Sequence, residues 1–460
     1  MGQVMSIDML PDYVLLEIFD FFVQQAHIER WQTLVHVCRR WRNVVFRSPR
    51  RLDLRIIFSN KTPSRDTVNV WPALPLSIQC DGSAESVDNI VTVLGECSDR
   101  VCGIDLVGFE RSDFEKVSAA MQIPFPELTG LSFWSSGETV SVLPDSFLGG
   151  SAPRLEHLWL KFTPFPGLPK LLSSTTHLVY LFYDNIPHSG YISPEAIVTA
   201  LSPLTCLEEV SLEFSSPQSR PGPAHHHPPL PTCAVLPALK YFWFKGVGEY
   251  LEVILAYIDA PRLRSLFITL FNDIVFDTPQ FTQFISRTPE LKPLKNARVT
   301  FQDGNAMVQL LPRTPDKDEE IQVNIPCREL DWQVSSMVQV CTSCLPSLSM
   351  LEDLYIKIPH PQPNWQDNIE NALWLELLHP FSTVKNLYLS KEITPRIVPA
   401  LQDLVSGGMT EVLPTLQNIF LEEDKPSGPV QEGLRHFVAM RQDTSHPIAV
   451  RYGQNFTFDD

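Results

Sequence analysis

A six-residue pattern recurs along most of this chain: an apolar residue, two variable residues, a second apolar residue, one variable residue and a third apolar residue. The clearest copies are LTGLSF at 128–133, LEHLWL at 155–160, LVYLFY at 178–183, LEEVSL at 207–212, LKYFWF at 239–244, LRSLFI at 263–268, LKNARV at 294–299, LEDLYI at 351–356, VKNLYL at 384–389 and LQNIFL at 416–421. Many neighbouring copies start about 23 to 32 residues apart. Such spacing is typical of repeat proteins, in which each repeat packs on its neighbours and no single core has to grow with the chain.

Each copy predicts a short strand that leads into a helix. The last three positions alternate between apolar and variable residues, as in a strand with one buried face. Between the copies, apolar residues lie at helical spacing in SPEAIVTAL at 193–201, GEYLEVILAYI at 248–258, TPQFTQFI at 278–285 and the segment 367–378. Ser193 is expected to cap its helix, with Pro194 in the first turn.

This alternation predicts an α/β fold that resembles an irregular leucine-rich-repeat solenoid over residues 56–460, with parallel strands on the concave side and helices on the convex side. Looser copies occur as LPLSI at 74–78 and VCGIDL at 101–106, and EIQVNI at 320–325 lies in the longest gap. A Pro-rich insert at about 215–231 is expected to be disordered, and 312–320 and 422–429 to be shorter loops. An ordinary α/β domain is the alternative, but so many strand copies favour repeats.

Composition excludes several functions. The 460 residues carry a net charge of -17, which argues against nucleic-acid binding because that requires a basic face. Nine scattered cysteines indicate reduced thiols in a cytoplasmic or nuclear protein. No apolar run approaches the ~20 residues of a transmembrane helix, so stable membrane insertion is not expected.

The first 55 residues differ from the repeats and are expected to form a separate helical domain. Leu10-Pro11-Asp12 indicates a helix start, and the helix should run to about Phe22. A second helix is expected from near 29, and a third should stop at Ser48-Pro49. Three short helices make a poor core alone, so their remaining apolar surface should dock onto something else.

This segment resembles an F-box. The family pattern places Leu-Pro near the start, apolar residues along the first helix and a Cys-Arg-x-Trp-like segment that ends near a proline. Residues 5–52 match it at Leu10, Pro11, Leu15, Ile18, Phe19, Cys38, Arg39, Trp41 and Pro49. At Asp12 and Tyr13 the sequence departs from the family pattern, which often has a glutamate near these positions.

The resemblance implies docking onto the Skp-type adaptor of cullin ubiquitin ligases, with a helix entering a groove of the adaptor. The adaptor-contacting residues that it implies are Leu10, Pro11, Leu15, Ile18, Phe19, Leu34, Cys38 and Trp41. The alternative is that these helices only cap the domain that follows.

A second candidate surface follows from the repeats themselves. The variable position between the last two apolar residues of a copy should face the exposed side of the sheet. Large aromatic residues stand there repeatedly: Trp159, Phe182, Trp243, Phe267, Tyr355, Tyr388 and Phe420. Exposed aromatic residues often anchor interfaces, so they are candidates for binding a client protein. Alternatively, they form a ladder that stabilises the sheet.

Signs of chemistry are weak. Phosphate-binding, zinc-protease and nucleophile-elbow motifs are all missing from the sequence, so we expect no catalytic residue, no cofactor and no metal. His225-His226-His227 is expected to be a loop, and the single CxxC of Cys341 and Cys344 to pack in a core. MGQVMS fits the pattern for myristoylation of Gly2, although one acyl chain would hold a membrane only weakly.

Together these features predict a non-catalytic substrate-recognition subunit of an SCF-type (Skp, cullin, F-box) E3 ubiquitin ligase. It would bridge the Skp-type adaptor, and through it a cullin scaffold, to a client protein. The alternative is a scaffold outside any ligase that pairs with the adaptor or uses the repeats alone.

Overall fold

The computed structural model describes residues 7–24, 31–49, 51–52, 54–59, 73–81, 87–136, 141–217, 233–271, 278–291, 294–312, 319–345, 348–359, 369–406, 412–422, 428–443 and 447–453. The chain folds as two compact units, Met1–Tyr191 and Ile192–Asp460. No helix in the described part is both long enough and apolar enough to cross a membrane.

The first unit begins with three helices, which lie where the sequence predicts helices. They are α1 (Asp12–Gln24), α2 (Trp31–Val37) and α3 (Arg39–Arg47). Asp12 places a negative charge in the first turn of α1, where it suits the positive end of the helix dipole. The Cys38 sulfur caps α3 by accepting a hydrogen bond from the Trp41 backbone N–H, at 3.4 Å.

After these helices, strands follow one another through the rest of the first unit, with helices between several of them. The strands are β1 (Ile56–Ser59), β2 (Leu76–Asp81), β3 (Val101–Phe109), β4 (Gly130–Ser135), β5 (His157–Lys161) and β6 (Tyr180–Ile186). The helices are α4 (Val87–Glu96), α5 (Arg111–Ala120) and α6 (Leu168–Leu172). Each strand pairs in parallel with the next one along the chain.

The second unit also consists of strands with helices between several of them. Its strands are β7 (Glu209–Phe214), β8 (Ala234–Val235), β9 (Tyr241–Gly246), β10 (Ile258–Asp259), β11 (Ser265–Leu270), β12 (Leu294–Gln302), β13 (Asn305–Pro312), β14 (Glu320–Ile325), β15 (Asp353–Lys357), β16 (Asn386–Leu389), β17 (Asn418–Leu421) and β18 (Ala449–Arg451). Its helices are α7 (Pro194–Leu201), α8 (Gly248–Tyr257), α9 (Pro279–Arg287), α10 (Leu330–Gln339), α11 (Asn371–Leu378), α12 (Thr394–Ser406) and α13 (Pro429–Asp443).

Sheet order in the second unit follows the chain except at one place. The strands lie side by side as β7-β9-β11-β14-β13-β12-β15-β16-β17-β18, and β8 pairs with β10 apart from them. Strand β13 runs antiparallel to both β12 and β14, whereas the other pairs of this row are parallel. The α/β class and the parallel strands predicted from the repeats are therefore confirmed, but an all-parallel arrangement is wrong at β13.

A hairpin accounts for this reversal. Strand β12 turns back into β13 through Asp303-Gly304, where Gly304 has a left-handed φ of 74°. A residue without a side chain adopts that conformation at little cost. EIQVNI, the weakest predicted copy, is indeed a strand, β14, and it pairs with β11.

A tight turn before many strands sets the repeat. In it, the N–H of the first repeat leucine donates to the carbonyl three residues earlier, as Leu155 does to Ala152 and Leu263 to Ala260. A proline occupies the second turn position in several copies: Pro126, Pro153, Pro237, Pro261 and Pro414. Proline favours this position because its fixed φ matches the turn. Both ends of each turn are buried, so the turn anchors its strand to the core.

Helices predicted between the copies are also confirmed. Ser193 caps α7 by accepting a hydrogen bond from the Ala196 backbone N–H, at 3.3 Å. Most of the insert predicted to be disordered, from 218 onward, lies outside the described residues, as does 313–318.

Candidate functional site

The N-terminal helices expose an unusual amount of apolar surface. Tyr13 is 67% exposed, Phe21 62% and Ile18 42%. We call this set, with the exposed residues that complete it, the N-terminal apolar surface: Ile7, Met9, Tyr13, Ile18, Phe21 and Val37. Tyr13, Glu17 and Phe21 are four residues apart in turn, so they lie along one side of α1.

The opposite side of α1 packs against the other helices of its unit. Leu15 and Phe19 are fully buried, and the Phe19 ring lies 4.8 Å from that of Trp41. Trp31 of α2 is also fully buried, and its Nε1 donates to the Arg55 carbonyl at 2.9 Å. That bond ties α2 to the segment just before β1.

Arginines of the following segments pair with residues of α1 and of the turn just before it. Arg40 donates to the Asp12 carboxylate at 2.8 Å and also to the Leu10 carbonyl. Arg51 forms an ion pair with Glu17, which lies between Tyr13 and Phe21. Residues Asp12, Leu16, Arg40 and Arg47 line a pocket beside these pairs.

The residues implied as adaptor contacts differ in how far their side chains are buried. Leu15, Phe19 and Leu34 are buried, so their side chains hold the helices together and offer no free surface. Pro11 and Ile18 are exposed, while Leu10, Cys38 and Trp41 are half-buried. Tyr13 and Phe21, which the pattern did not select as contacts, are the most exposed large side chains of α1. Gly2 lies outside the described residues.

The second candidate surface is a row of side chains across the strands of the second unit. Strand register places Trp243 opposite Phe267, Phe267 opposite Gln322, and Gln322 opposite Gln309. The row continues through Arg298, Tyr355, Tyr388, Phe420 and Arg451. We call it the cross-strand row; its aromatic members are half-buried.

Rings in the cross-strand row stack on each other. Trp243 and Phe267 are parallel at 5.3 Å between ring centres. Tyr355 and Tyr388 are 4.1 Å apart, and Tyr388 and Phe420 4.5 Å apart. The Arg451 guanidinium covers the far side of Phe420, at 5.4 Å. These contacts form the ladder that the sequence left open as an alternative, yet each ring keeps part of its surface exposed.

An amide ladder runs parallel to this row near the strand starts. Asn386 donates to Asp353 at 2.6 Å, and Asn418 donates to Asn386 at 2.8 Å. Hydrogen bonds of this kind pin the register of β15, β16 and β17, because a slip of one residue would break every rung.

The first unit carries a smaller aromatic cluster. Trp159 lies opposite Phe182, 5.6 Å away, and 4.6 Å from Trp134. Trp159 Nε1 donates to Asp184 at 2.9 Å, and the Lys161 ammonium lies over the Trp134 ring at 5.1 Å. At 37% exposed, Trp159 presents more of its surface than the rings of the cross-strand row.

The CxxC cysteines pack in the core, as predicted. Cys341 and Cys344 lie on a π-helical turn, Val340–Cys344, that follows α10, and both are buried. The Thr278 hydroxyl donates to the Cys344 sulfur at 3.0 Å. Burial raises the pKa of Cys344 to about 11 and also raises that of Cys341, so both thiols stay protonated and are poor nucleophiles or ligands.

Metal-binding clusters of three or more His, Cys, Asp or Glu side chains do not occur among the described residues. His225, His226 and His227 lie outside that part of the chain.

Comparison with known proteins identifies no family. No family model matches the chain, and no curated protein matches it. Among solved structures, it is similar to a leucine-rich repeat-containing protein, LegL7 from Legionella pneumophila, with 12% sequence identity and a TM-score of 0.27, over 84% of this chain and 97% of that one. A TM-score of this size supports no conclusion about fold or function.

Proposed function

We propose that this chain is a non-catalytic substrate receptor. Its N-terminal helices dock onto a Skp-type adaptor of a cullin ubiquitin ligase, and its repeats hold a client protein. The observation that carries the proposal is the N-terminal apolar surface, which stands next to a well-packed set of buried side chains.

The energetics favour a partner for that surface. Tyr13 and Phe21 make no ring contact within the described residues, although both are large and mostly exposed. Large apolar side chains clustered on a small helical segment are typical of interaction sites. Fully burying one such side chain on binding is worth roughly 1.5–3 kcal/mol. The resemblance of 5–52 to an F-box supplies the identity of the partner.

The mechanism requires no chemistry from this chain. A receptor that binds both adaptor and client raises the effective concentration of the client near the ubiquitin-transferring enzyme. Exposed aromatic surface on the strands, Trp159 in the first unit and the cross-strand row in the second, is proposed to contact the client.

The test is co-purification of the full chain with a co-expressed Skp-type adaptor. We expect the wild type to bind, and an Ile18→Asp, Phe21→Asp double variant to lose binding, because two charges would have to enter an apolar groove. Both side chains are exposed, so the variant should fold.

A matched control is Val142→Asp, which adds a charge at an exposed apolar residue of the same unit outside the helices. It should bind like the wild type. Absence of binding by a folded wild type would refute adaptor docking. If the chain binds the adaptor but client levels do not respond to cullin neddylation, the scaffold outside the ligase is favoured.

A further inference from the structure

A small pocket lies beside the carboxyl ends of strands β15, β16 and β17 and the middle of β12. It is lined by Arg298, Tyr355, Ile356, Lys357, Tyr388, Ser390 and Glu422. Arg298, Tyr355 and Tyr388 belong to the cross-strand row. Lys357 lies two residues further along β15, where the parallel strands end.

Hydrogen-bond donors dominate one side of the pocket. Arg298 and Lys357 supply a half-buried guanidinium and an exposed ammonium. Burial is the main cause that raises the pKa of the Tyr355 hydroxyl and that of Tyr388, so both remain neutral. The Tyr355 hydroxyl donates to the Tyr388 hydroxyl, so Tyr388 is the one of the two that would donate to a ligand. The two stacked tyrosine rings also form an apolar wall. Together these groups suit an oxyanion attached to an apolar body.

Carboxylates nearby limit the charge that the pocket can accept. Glu422 lines its far side, and one of its oxygens accepts a hydrogen bond from the Lys391 backbone N–H at 3.2 Å. Asp353 begins the strand of Tyr355 and contributes to the raised pKa of both tyrosines. Arg298 also interacts with the Glu320 carboxylate, and Arg451 interacts with Tyr388, so positive charges around the pocket do not outnumber negative ones. A singly charged ligand fits this balance better than a doubly charged phosphate, which the carboxylates would repel more strongly.

We propose that this pocket, whose volume of about 30 Å³ has room for a carboxylate but not for a ring, binds a carboxylate that is carried on an apolar group. Arg298 and Lys357 would bind the carboxylate, the hydroxyls of Tyr388 and Ser390 would orient it, and the tyrosine rings would contact the apolar part. The site lies wholly in the second unit and includes no residue of the N-terminal helices. Its test is therefore independent of the test of adaptor docking.

The test is calorimetric titration of the full chain with benzoate and, separately, with phenyl phosphate. We expect saturable benzoate binding and weaker phenyl phosphate binding. Lys357→Gln should weaken benzoate binding about tenfold, the size expected for one charge-assisted hydrogen bond. Tyr388→Phe keeps the stacked ring and should cause a smaller loss.

The matched control is Lys245→Gln. Lys245 lies opposite Thr269 at the end of β9, in the strand position that corresponds to Lys357, but it is not part of the pocket. It should leave benzoate binding unchanged. Absence of benzoate binding at millimolar concentrations, equal weakening by both lysine substitutions, or tighter binding of phenyl phosphate would overturn the proposal. Circular dichroism of each variant checks folding.

A third titration separates the sources of the carboxylate. A short peptide ending in phenylalanine is compared with the same peptide amidated at its C-terminus. Binding of the free acid peptide that exceeds benzoate binding and is lost on amidation identifies a polypeptide C-terminus as the ligand. Binding of benzoate alone identifies a free small acid.

Discussion

Aromatic side chains in two regions of this protein differ in how far neighbouring rings cover them. On α1, Tyr13 and Phe21 stand mostly exposed without a ring neighbour among the described residues. On the sheet of the second unit, Tyr355, Tyr388 and Phe420 cover one another. Stacked rings gain about 0.5–1.5 kcal/mol per pair beyond the area that they bury. The sheet aromatics thus contribute to their own fold, whereas Tyr13 and Phe21 of α1 should add little to the stability of theirs.

The exposure of a side chain therefore indicates, better than its size does, what a substitution there should cost in stability. In the cross-strand row, substitutions should cost stability as well as any binding. At the outer side of α1, they should cost binding alone.

The largest effect is expected from a pair of phenylalanines on the same helix. Phe19→Ala should destabilise the first unit by about 3–5 kcal/mol, because the ring is buried and packs on Trp41. Phe21→Ala should change stability by less than about 0.5 kcal/mol, since the ring is mostly exposed. Urea denaturation of both variants measures the difference. Equal losses of stability would mean that Phe21 is covered in the free protein.

Next in size is the ladder itself. Tyr388→Ala removes the stacking of this ring on Tyr355 and on Phe420. The free energy of unfolding should fall by about 1–3 kcal/mol. Tyr13→Ala, its counterpart on α1, should be nearly neutral. Thermal unfolding measures both. A neutral Tyr388→Ala would show that stacking adds little and that the row is held by the backbone alone.

High pH should weaken the ladder and leave α1 unaffected. Burial raises the pKa of Tyr355 and that of Tyr388 above the value of about 10 in an unfolded chain. Their contribution to stability is present below pH 10 and is lost as the pH rises, because the unfolded chain ionises first. A Tyr355→Phe, Tyr388→Phe double variant should lose less stability than the wild type between pH 9 and 11. Identical pH profiles would contradict this.

The smallest effect is expected at an ion pair on the outer side of α1. Arg51→Gln breaks the pair with Glu17, but both side chains are substantially exposed. The change in stability should be below about 1 kcal/mol, the usual range for surface pairs. Urea denaturation against the wild type measures it. A larger loss would show that this pair, and not apolar packing, holds α1 in place.

Much of the strand layout could be predicted from the sequence. The Leu-x-x-Leu-x-Leu pattern locates strands because alternate side chains of a strand face the core. The pattern does not predict the reversal at β13, because each copy by itself indicates one more parallel strand. Asp303-Gly304, between two alternating segments, is a hairpin signal that could have revealed it.

The candidate sites were less accessible to sequence reasoning. The helical periodicity of α1 separates Phe19 from Phe21, but it groups Phe19 with Ile18, which is 42% exposed. The aromatic members of the cross-strand row followed from the repeat. Arg298 and Lys357 did not, because a pocket depends on which strands are neighbours, and the hairpin brings β12 beside β15.

The hairpin also has a consequence for how the protein folds. Repeat arrays usually grow by adding the next segment of chain to the edge just completed. Beyond β11, the adjacent place is taken by β14, and β12 lies two places further on. Growth from β11 therefore continues with β14, where Glu320 lies opposite Ser265 although the two are far apart along the chain. This non-local pairing should form more slowly than the pairings between successive repeats, such as β15 with β16.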